Sequence, residues 1–257
     1  MLPFDVPARR AAAKEDAVTR RTTDIPAPPW RTGKRPVRQP LSQDAIVAAA
    51  LRLLDAEGLD AVSMRRVAQD LGTGPASLYA HVANKDELIE LVLDEVLGEV
   101  VDEAERVAAA SDLDWRDAVR TVTRTSRRAM QRHRDIARAA MVGVPLGPNG
   151  LRVSEAYLGI LTGAGLPDQI VAWGVDRLSL YVTADVLEGA FYRNRGFRNE
   201  SDARRYWTQV GDYLRSLPPD RFPHTVRMVD AMMTGDSDER FEHGLDMILD
   251  GLARHLP

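Results

Sequence analysis

The segment 73-TGPASLYAHVANKDEL-88 gathers residue types suited to touching nucleic acid rather than to catalysis. Pro75, Ala76, Ser77 and Ala80 are small, so a helix that carries them lets its backbone approach another surface. A methyl or a lone hydroxyl can there meet a thymine methyl or one base acceptor. Tyr79 and His81 end in polar tips suited to phosphate oxygens. Lys85 follows Asn84 at a helix start, where free N–H groups and the helix dipole already favour an anion. Two of these readings have structural alternatives. The Tyr79 ring could pack against a neighbouring helix, and His81 could be a capping or core histidine.

Such side chains need elements to hold them. Ser42 is a helix N-cap, followed by Ile46, Ala50, Leu53 and Leu54 at helical spacing, with Gly58 as a left-handed stop. Ser63 caps a second, shorter helix with Met64, Val67, Ala68 and Leu71 inward and Gly72 at its end. A third helix is predicted over 75–82, with Pro75 in the first turn, where its missing N–H costs no hydrogen bond. Asn84 with Glu87 gives a capping-box-like start to a fourth helix, which reaches to about Ala110. The first three helices, with the tight turn Gly72-Thr73-Gly74, make a helix-turn-helix whose third member is exposed on one side and can lie in a major groove. Further helices are predicted near 115–134, 136–142, 148–162, 168–194, 201–217, 224–232 and 238–255. No segment alternates with period two between hairpin turns, so the fold class is all-α. The organisation is a basic arm (1–40), a helix-turn-helix domain (41–88) and a C-terminal helical domain for ligand binding and dimerisation (89–257).

The run SMRRVAQDLGTGPASLYAHVANKDEL resembles the DNA-binding domain of tetracycline-repressor (TetR) family regulators, above all in L-G-x-x-x-x-S-L-Y-x-H-V-x-N-K. The resemblance covers about Leu41 to Val101. More loosely, PLGPNGLRVSEAYLGILTGAGL and FEHGLDMILDGL resemble the regulatory domain of that family. It implies that Ser63, Met64 and Arg65 match base- or phosphate-contacting positions. Pro75, Ala76, Ser77 and Ala80 match base-facing ones, and Tyr79, His81 and Lys85 match phosphate-contacting ones. The third helix here lacks the long polar side chains that some members use, which leaves Arg65 as the strongest base reader, bidentate to a guanine. A solvated face is the alternative for Arg65 and Arg66. The implied function is a ligand-responsive transcriptional regulator, by default a repressor. It would bind a palindromic double-stranded DNA operator as a homodimer and be released by a small-molecule effector.

Charge is unevenly placed. The whole chain of 257 residues carries a formal net charge of −4. From Ser42 to Ile89 there are four basic and seven acidic residues, too few cations for strong nonspecific attraction to DNA. Residues 1–40 hold nine basic against four acidic residues and seven prolines, the composition of a flexible arm. Within it, 31-RTGKRPVRQP-40 places Arg31, Lys34, Arg35 and Arg38 with no acid among them. Ten extended residues reach about 30 Å, enough for these arginines to follow a minor groove. The alternative is an idle tail.

In the C-terminal part, Phe241, Leu245, Ile248, Leu249 and Leu252 form a helical stripe beside Gly244 and Gly251, expected to build an intermolecular four-helix bundle with a partner helix from 168–194. The alternative is an intramolecular core. Candidate effector-lining residues are Trp115, Met130, His133, Met141, Tyr157, Trp173, Arg177, Tyr181 and Asp185. The last four recur every fourth residue and combine rings with opposite charges, the mix of apolar walls and a few polar groups that pockets show.

The absences narrow the classes. With no cysteine, disulfides and thiolate metal sites are ruled out, which fits a reducing cytosol. The five histidines lack H-E-x-x-H spacing, and neither a Walker loop nor a G-x-S-x-G elbow is present. Neither an enzyme nor a cofactor is therefore expected. No apolar run approaches the roughly 18 residues of a membrane span, and the first residues are unlike a secretory signal. The rival reading is a helical protein-interaction adaptor that does not bind DNA.

Overall fold

A computed structural model describes residues 41–141, 143–194 and 200–257. The described elements are α1 (Gln43–Glu57), a 3-10 turn (Leu59–Ala61), α2 (Met64–Asp70), α3 (Pro75–Leu78), α4 (Lys85–Ala108), α5 (Trp115–Arg132), α6 (Ile136–Ala140), α7 (Pro148–Gly163), α8 (Asp168–Asn194), α9 (Glu200–Arg215), α10 (Pro223–Met232) and α11 (Ser237–Ala253). No strand occurs among the described residues. The architecture is all-α.

Local chemistry explains most of the boundaries. The Ser42 hydroxyl accepts from the Ala45 N–H at 3.2 Å and starts α1. Gly58 ends it with φ 94° and ψ 171°, a region reserved for glycine, and a Cβ there would come within 2.7 Å of an Asp135 carboxylate oxygen. α2 closes in a Schellman arrangement: Thr73 N–H donates to Ala68 C=O at 2.8 Å and Gly72, at φ 62°, donates to Gln69 C=O at 3.0 Å. Asn84 caps α4 by accepting from Glu87 N–H at 2.9 Å. The return bond goes from Ala83 N–H to the Glu87 carboxylate, one residue before the cap. The 3-10 turn is an element that sequence reasoning did not predict.

α1, α2 and α3 pack as a small head, and α1 leans on the start of α4. α4 is the spine. It runs unbroken across the boundary expected at residue 88 and packs on α5, α6 and α7. α5, α7 and α8 complete the body, with α11 laid along α8. One continuous core runs through both parts, from Ile46 and Leu54 in the head to Leu161 and Leu249 in the body. No helix among the described residues is long and apolar enough to cross a membrane.

α11 is also fixed to α5 by a ladder of ion pairs that sequence reasoning missed. Arg116 meets Asp250 (2.7 Å), Arg120 meets Asp246 (2.7 Å), Arg124 meets Glu242 (2.6 Å) and Arg127 meets Asp238 (2.6 Å). Each step along α5 is matched by one turn back along α11, so the helices are antiparallel and in register. The Arg116–Asp250 rung is open to water, where such a pair contributes little, ~0–1 kcal/mol, and the Arg120 and Arg124 rungs are part-buried. Their effect is to fix rotation and register.

Candidate nucleic-acid interface

The head presents α3 as expected, but shorter. The α-helix covers Pro75–Leu78, and 79–81 continue as a turn. Hydrogen bonds still run from His81 and Val82 N–H to Leu78 C=O, at 2.9 and 3.0 Å. The helix stops because Val82 must turn into the core while Asn84 takes up its capping conformation for α4. Leu78 and Val82 are buried, whereas Pro75, Ala76, Ser77, Tyr79, Ala80 and His81 are exposed. Tyr79 is 54% exposed, outside the core that Leu78 and Val82 enter. The His81 ring is likewise outside the core, and its backbone carbonyl accepts from Gln43 Nε2 at 3.1 Å.

Around this ridge, Lys85 is the first residue of α4 and is exposed. Ser63 caps α2 by accepting from Arg66 N–H at 3.3 Å. Arg66 is tied to Glu57 at 2.5 Å and Arg52 to Asp70 at 3.0 Å. Arg65 is exposed and makes no ion pair among the described residues, so its guanidinium is available for a base edge. Met64 is a correction. Its side chain is only 7% exposed and fills the core, because the first residue after the cap rotates inward with Val67 and Ala68. It cannot reach DNA from there. Arg31, Lys34, Arg35 and Arg38 lie outside the described residues.

The joint between head and body is polar and dense. The His133 imidazole sits between two carboxylates, with Nδ1 3.0 Å from Asp55 of α1 and Nε2 2.9 Å from Glu99 of α4. Arg132 also pairs with Glu99. Arg134 donates to the Ala56 carbonyl at 3.2 Å, and Arg138 grips Asp60 with two bonds of 3.0 and 3.1 Å. That grip lowers the Asp60 pKa and raises that of Arg138. Sequence reasoning placed His133 in the effector pocket. The structure places it in this joint, bonded to residues 78 and 34 positions away, a pairing with no local signature.

The other effector-lining expectations separate into three groups. Met130 and Tyr157 are buried in the body. The Tyr157 hydroxyl lies 3.0 Å from Thr123 Oγ1, with Ser126 beside it, and burial pushes its pKa up to about 12, so it stays a neutral hydrogen-bonding group. Thr123 and Ser126 were missed, although buried hydroxyls at helix spacing opposite a tyrosine are a readable signal. Trp115 is half-buried at the start of α5, and Met141 is exposed just after α6.

The α8 set is a second correction. Trp173 is 60% exposed, and Arg177 is exposed and pairs with neighbouring Asp176 at 2.8 Å. Tyr181 is half-buried and stacks on Phe241 with ring centroids 5.1 Å apart, its hydroxyl donating to the Phe241 carbonyl at 2.8 Å. Asp185 is the inner partner of Arg127 at 2.6 Å. A repeat of four advances about 40° per step on a helix of 3.6 residues per turn. Three steps carry the stripe from solvent to the interior: Trp173, Arg177 and Tyr181 line one open groove against α11, and Asp185 lies apart from it.

The dimerisation stripe is the third correction. Phe241, Leu245, Leu249 and Leu252 are buried within the single chain, and only Ile248 lies at the edge. Helical periodicity marks the buried face of α11 without saying whose core buries it. The face left open is one step around: Met247 at 64% exposure, Gly251 and His255, continued on α8 by Trp173, Arg177 and Leu180.

Comparison with known proteins agrees with this geometry. Residues 46–92 match the profile described as "Bacterial regulatory proteins, tetR family", and residues 108–256 match "Tetracyclin repressor-like, C-terminal domain". The chain is 33% identical to the HTH-type transcriptional repressor DrrR1 of Streptomyces coeruleorubidus, over 87% of this chain and 82% of the relative. It is 29% identical to the class A tetracycline repressor from transposon 1721 of Escherichia coli, over 83% and 91%. Among solved structures, the Streptomyces coelicolor TetR family protein ActR in complex with actinorhodin superposes with a TM-score of 0.75 at 46% identity, over 83% of this chain and 96% of that one.

Proposed function

The chain belongs to the tetR family of bacterial regulatory proteins, and from that premise we propose that it represses transcription as a homodimer on a palindromic operator and is released by a small organic effector. One observation carries this reading. A one-turn helix with small, exposed residues projects from the head beside Arg65, which has no ion pair among the described residues, and the helix-start Lys85. Pro75, Ala76, Ser77 and Ala80 would meet base edges and Arg65 a guanine. Ser63, Tyr79, His81 and Lys85 would hold phosphates. Two such heads about 34–36 Å apart would read both half-sites of one duplex.

The dimer face in this reading is the open surface of α8 and α11, not the stripe read from sequence. Met247→Asp should leave the monomer folded, since the side chain is already in water, and convert the dimer to monomer by sedimentation. A dimer of unchanged affinity would move the interface elsewhere. The effector reading rests on ActR having been crystallised with actinorhodin and on the buried Tyr157–Thr123 pair, which could trade its internal hydrogen bond for one to a ligand.

The head has few free cations, so the reading assigns nonspecific affinity to the arm carrying Arg31, Lys34, Arg35 and Arg38. Deleting residues 1–38 should weaken binding to the region upstream of the chain's own gene and lower the slope of log affinity against log salt, by about 0.9 for each phosphate that the arm had neutralised. A gel shift over several salt concentrations measures both. Unchanged affinity and slope would remove the arm from the mechanism. A full-length protein that ignores every duplex would favour the adaptor instead.

A further inference from the structure

Apart from the DNA-facing ridge and the body interior, a cavity of about 480 Å³ lies where head meets body. Its walls come from the 3-10 turn, from the first turns of α4, and from α6 with the loop leading to α7. That volume is within the range of small-molecule sites, roughly 300–1,000 Å³. Ile89, Leu93, Ala139 and Pro145 give it an apolar floor, and the exposed Val144 and Leu146 form an apolar rim. The chain leaves these rim side chains in water, so an occupant gains by covering them.

Most polar groups in the wall are already committed. Asp60 is held by Arg138. Asp94 accepts from the backbone N–H groups of Asn149 and Gly150, at 3.0 and 2.9 Å. Glu87 accepts from Ala83 N–H. Asp86, Glu90 and Lys85 have no ion pair among the described residues, two carboxylates against one ammonium.

The geometry points to a second small-molecule site that takes a cationic amphiphile. Its apolar body sits between α4 and the 143–147 loop, and its positive centre faces Asp86 and Glu90. The site is separate from the Tyr157 group inside the body. An occupant touches Leu59 of the head and Leu146 of the body at once. It therefore changes operator affinity by favouring head positions that keep the cavity open.

The test uses the full-length protein without DNA, titrated calorimetrically with tetraphenylphosphonium and with tetraphenylborate, ions of one shape and opposite charge. The cation should bind at least about tenfold more tightly than the anion. The Asp86→Asn/Glu90→Gln double variant should weaken cation binding about tenfold or more, and Val144→Lys, at an exposed position, should do the same. No cation binding, equal affinity for both ions, or unchanged affinity in the variants overturns the site. Saturating cation should also change operator affinity in the parent protein and not in the double variant; an unchanged operator affinity overturns the control role. Because binding is read without DNA, failure of the site is distinct from failure of the repressor reading.

Discussion

Ala76→Glu should weaken operator binding at least about a hundredfold, or roughly 2.8 kcal/mol at 1.4 kcal/mol per decade. Ala76 is exposed in the first turn of α3, between Pro75 and Ser77, on the surface that the reading places against base edges. A carboxylate there meets the negative groove at close range, and like-charge juxtaposition at an interface costs several kcal/mol. It also holds the backbone away, so Ser77 and Ala80 no longer reach the bases. The fold has no reason to suffer. The position is in water, and an acidic side chain in the first turn of a helix is favoured by the dipole, so stability should stay within about 0.5 kcal/mol. Fluorescence anisotropy with an operator duplex, beside a melting curve, separates the two effects. An operator affinity close to that of the parent would mean that α3 does not enter the groove.

How much of this was legible in the sequence depends on how far apart the partners lie. Ser42, Gly58, Ser63, Gly72 and Asn84 act on groups within five residues, and each stands at the helix end that it was expected to mark. Pro75 with its small neighbours was readable for the same reason, since an exposed helix needs no distant partner to define it. Met64 keeps the inward place that its spacing gives it and departs only from the contacting position that the resemblance implies, because its apolar character outweighs its place in the motif. On α11 the pattern gave the buried face, but burial against α8 of the same chain and burial against a second chain have one periodicity. The joint around His133 was beyond local reading, since Asp55 and Glu99 approach it only after α1 and α4 have packed. The ladder from Arg116 to Arg127 lay between these cases. Arginines spaced by four and three on one helix and acids spaced by four on another suggest pairing, but only the antiparallel packing of α5 and α11 selects the register.

The inner rung of that ladder should carry the largest single contribution to stability. The Arg127 side chain is only 8% exposed and lies over the Phe241 ring, 4.3 Å from its centroid. Its Nε donates to Asp185 at 2.6 Å, Nη1 to Asp238 at 2.6 Å and Nη2 to the Ser237 hydroxyl at 3.1 Å. Burial disfavours the charge, and hydrogen bonds to the two carboxylates outweigh it, so the guanidinium holds its proton more tightly than usual. Arg127→Met keeps the apolar stem and removes the cation. Asp238 is open to water and adapts, but Asp185 is left as an uncompensated, largely buried carboxylate. Breaking a buried pair from one side costs about 3–5 kcal/mol, and the open Asp238 places the expectation at the lower end. Replacing both partners, Arg127→Met with Asp185→Leu, should recover most of the stability, because an apolar pair of similar volume needs no compensation. Urea unfolding of the three proteins, each at several protein concentrations, separates stability from dimer dissociation. A single variant within about 1 kcal/mol of the parent would show that the network is surface decoration. A double variant no better than the single would show that Asp185 is not what makes the arginine necessary. If both expectations hold, α5, α8 and the N-terminus of α11 are fastened at one point, next to the helices that the dimer face and the effector reading both depend on. A change at Arg127 would then reach operator binding through the body, while α3 itself stays untouched.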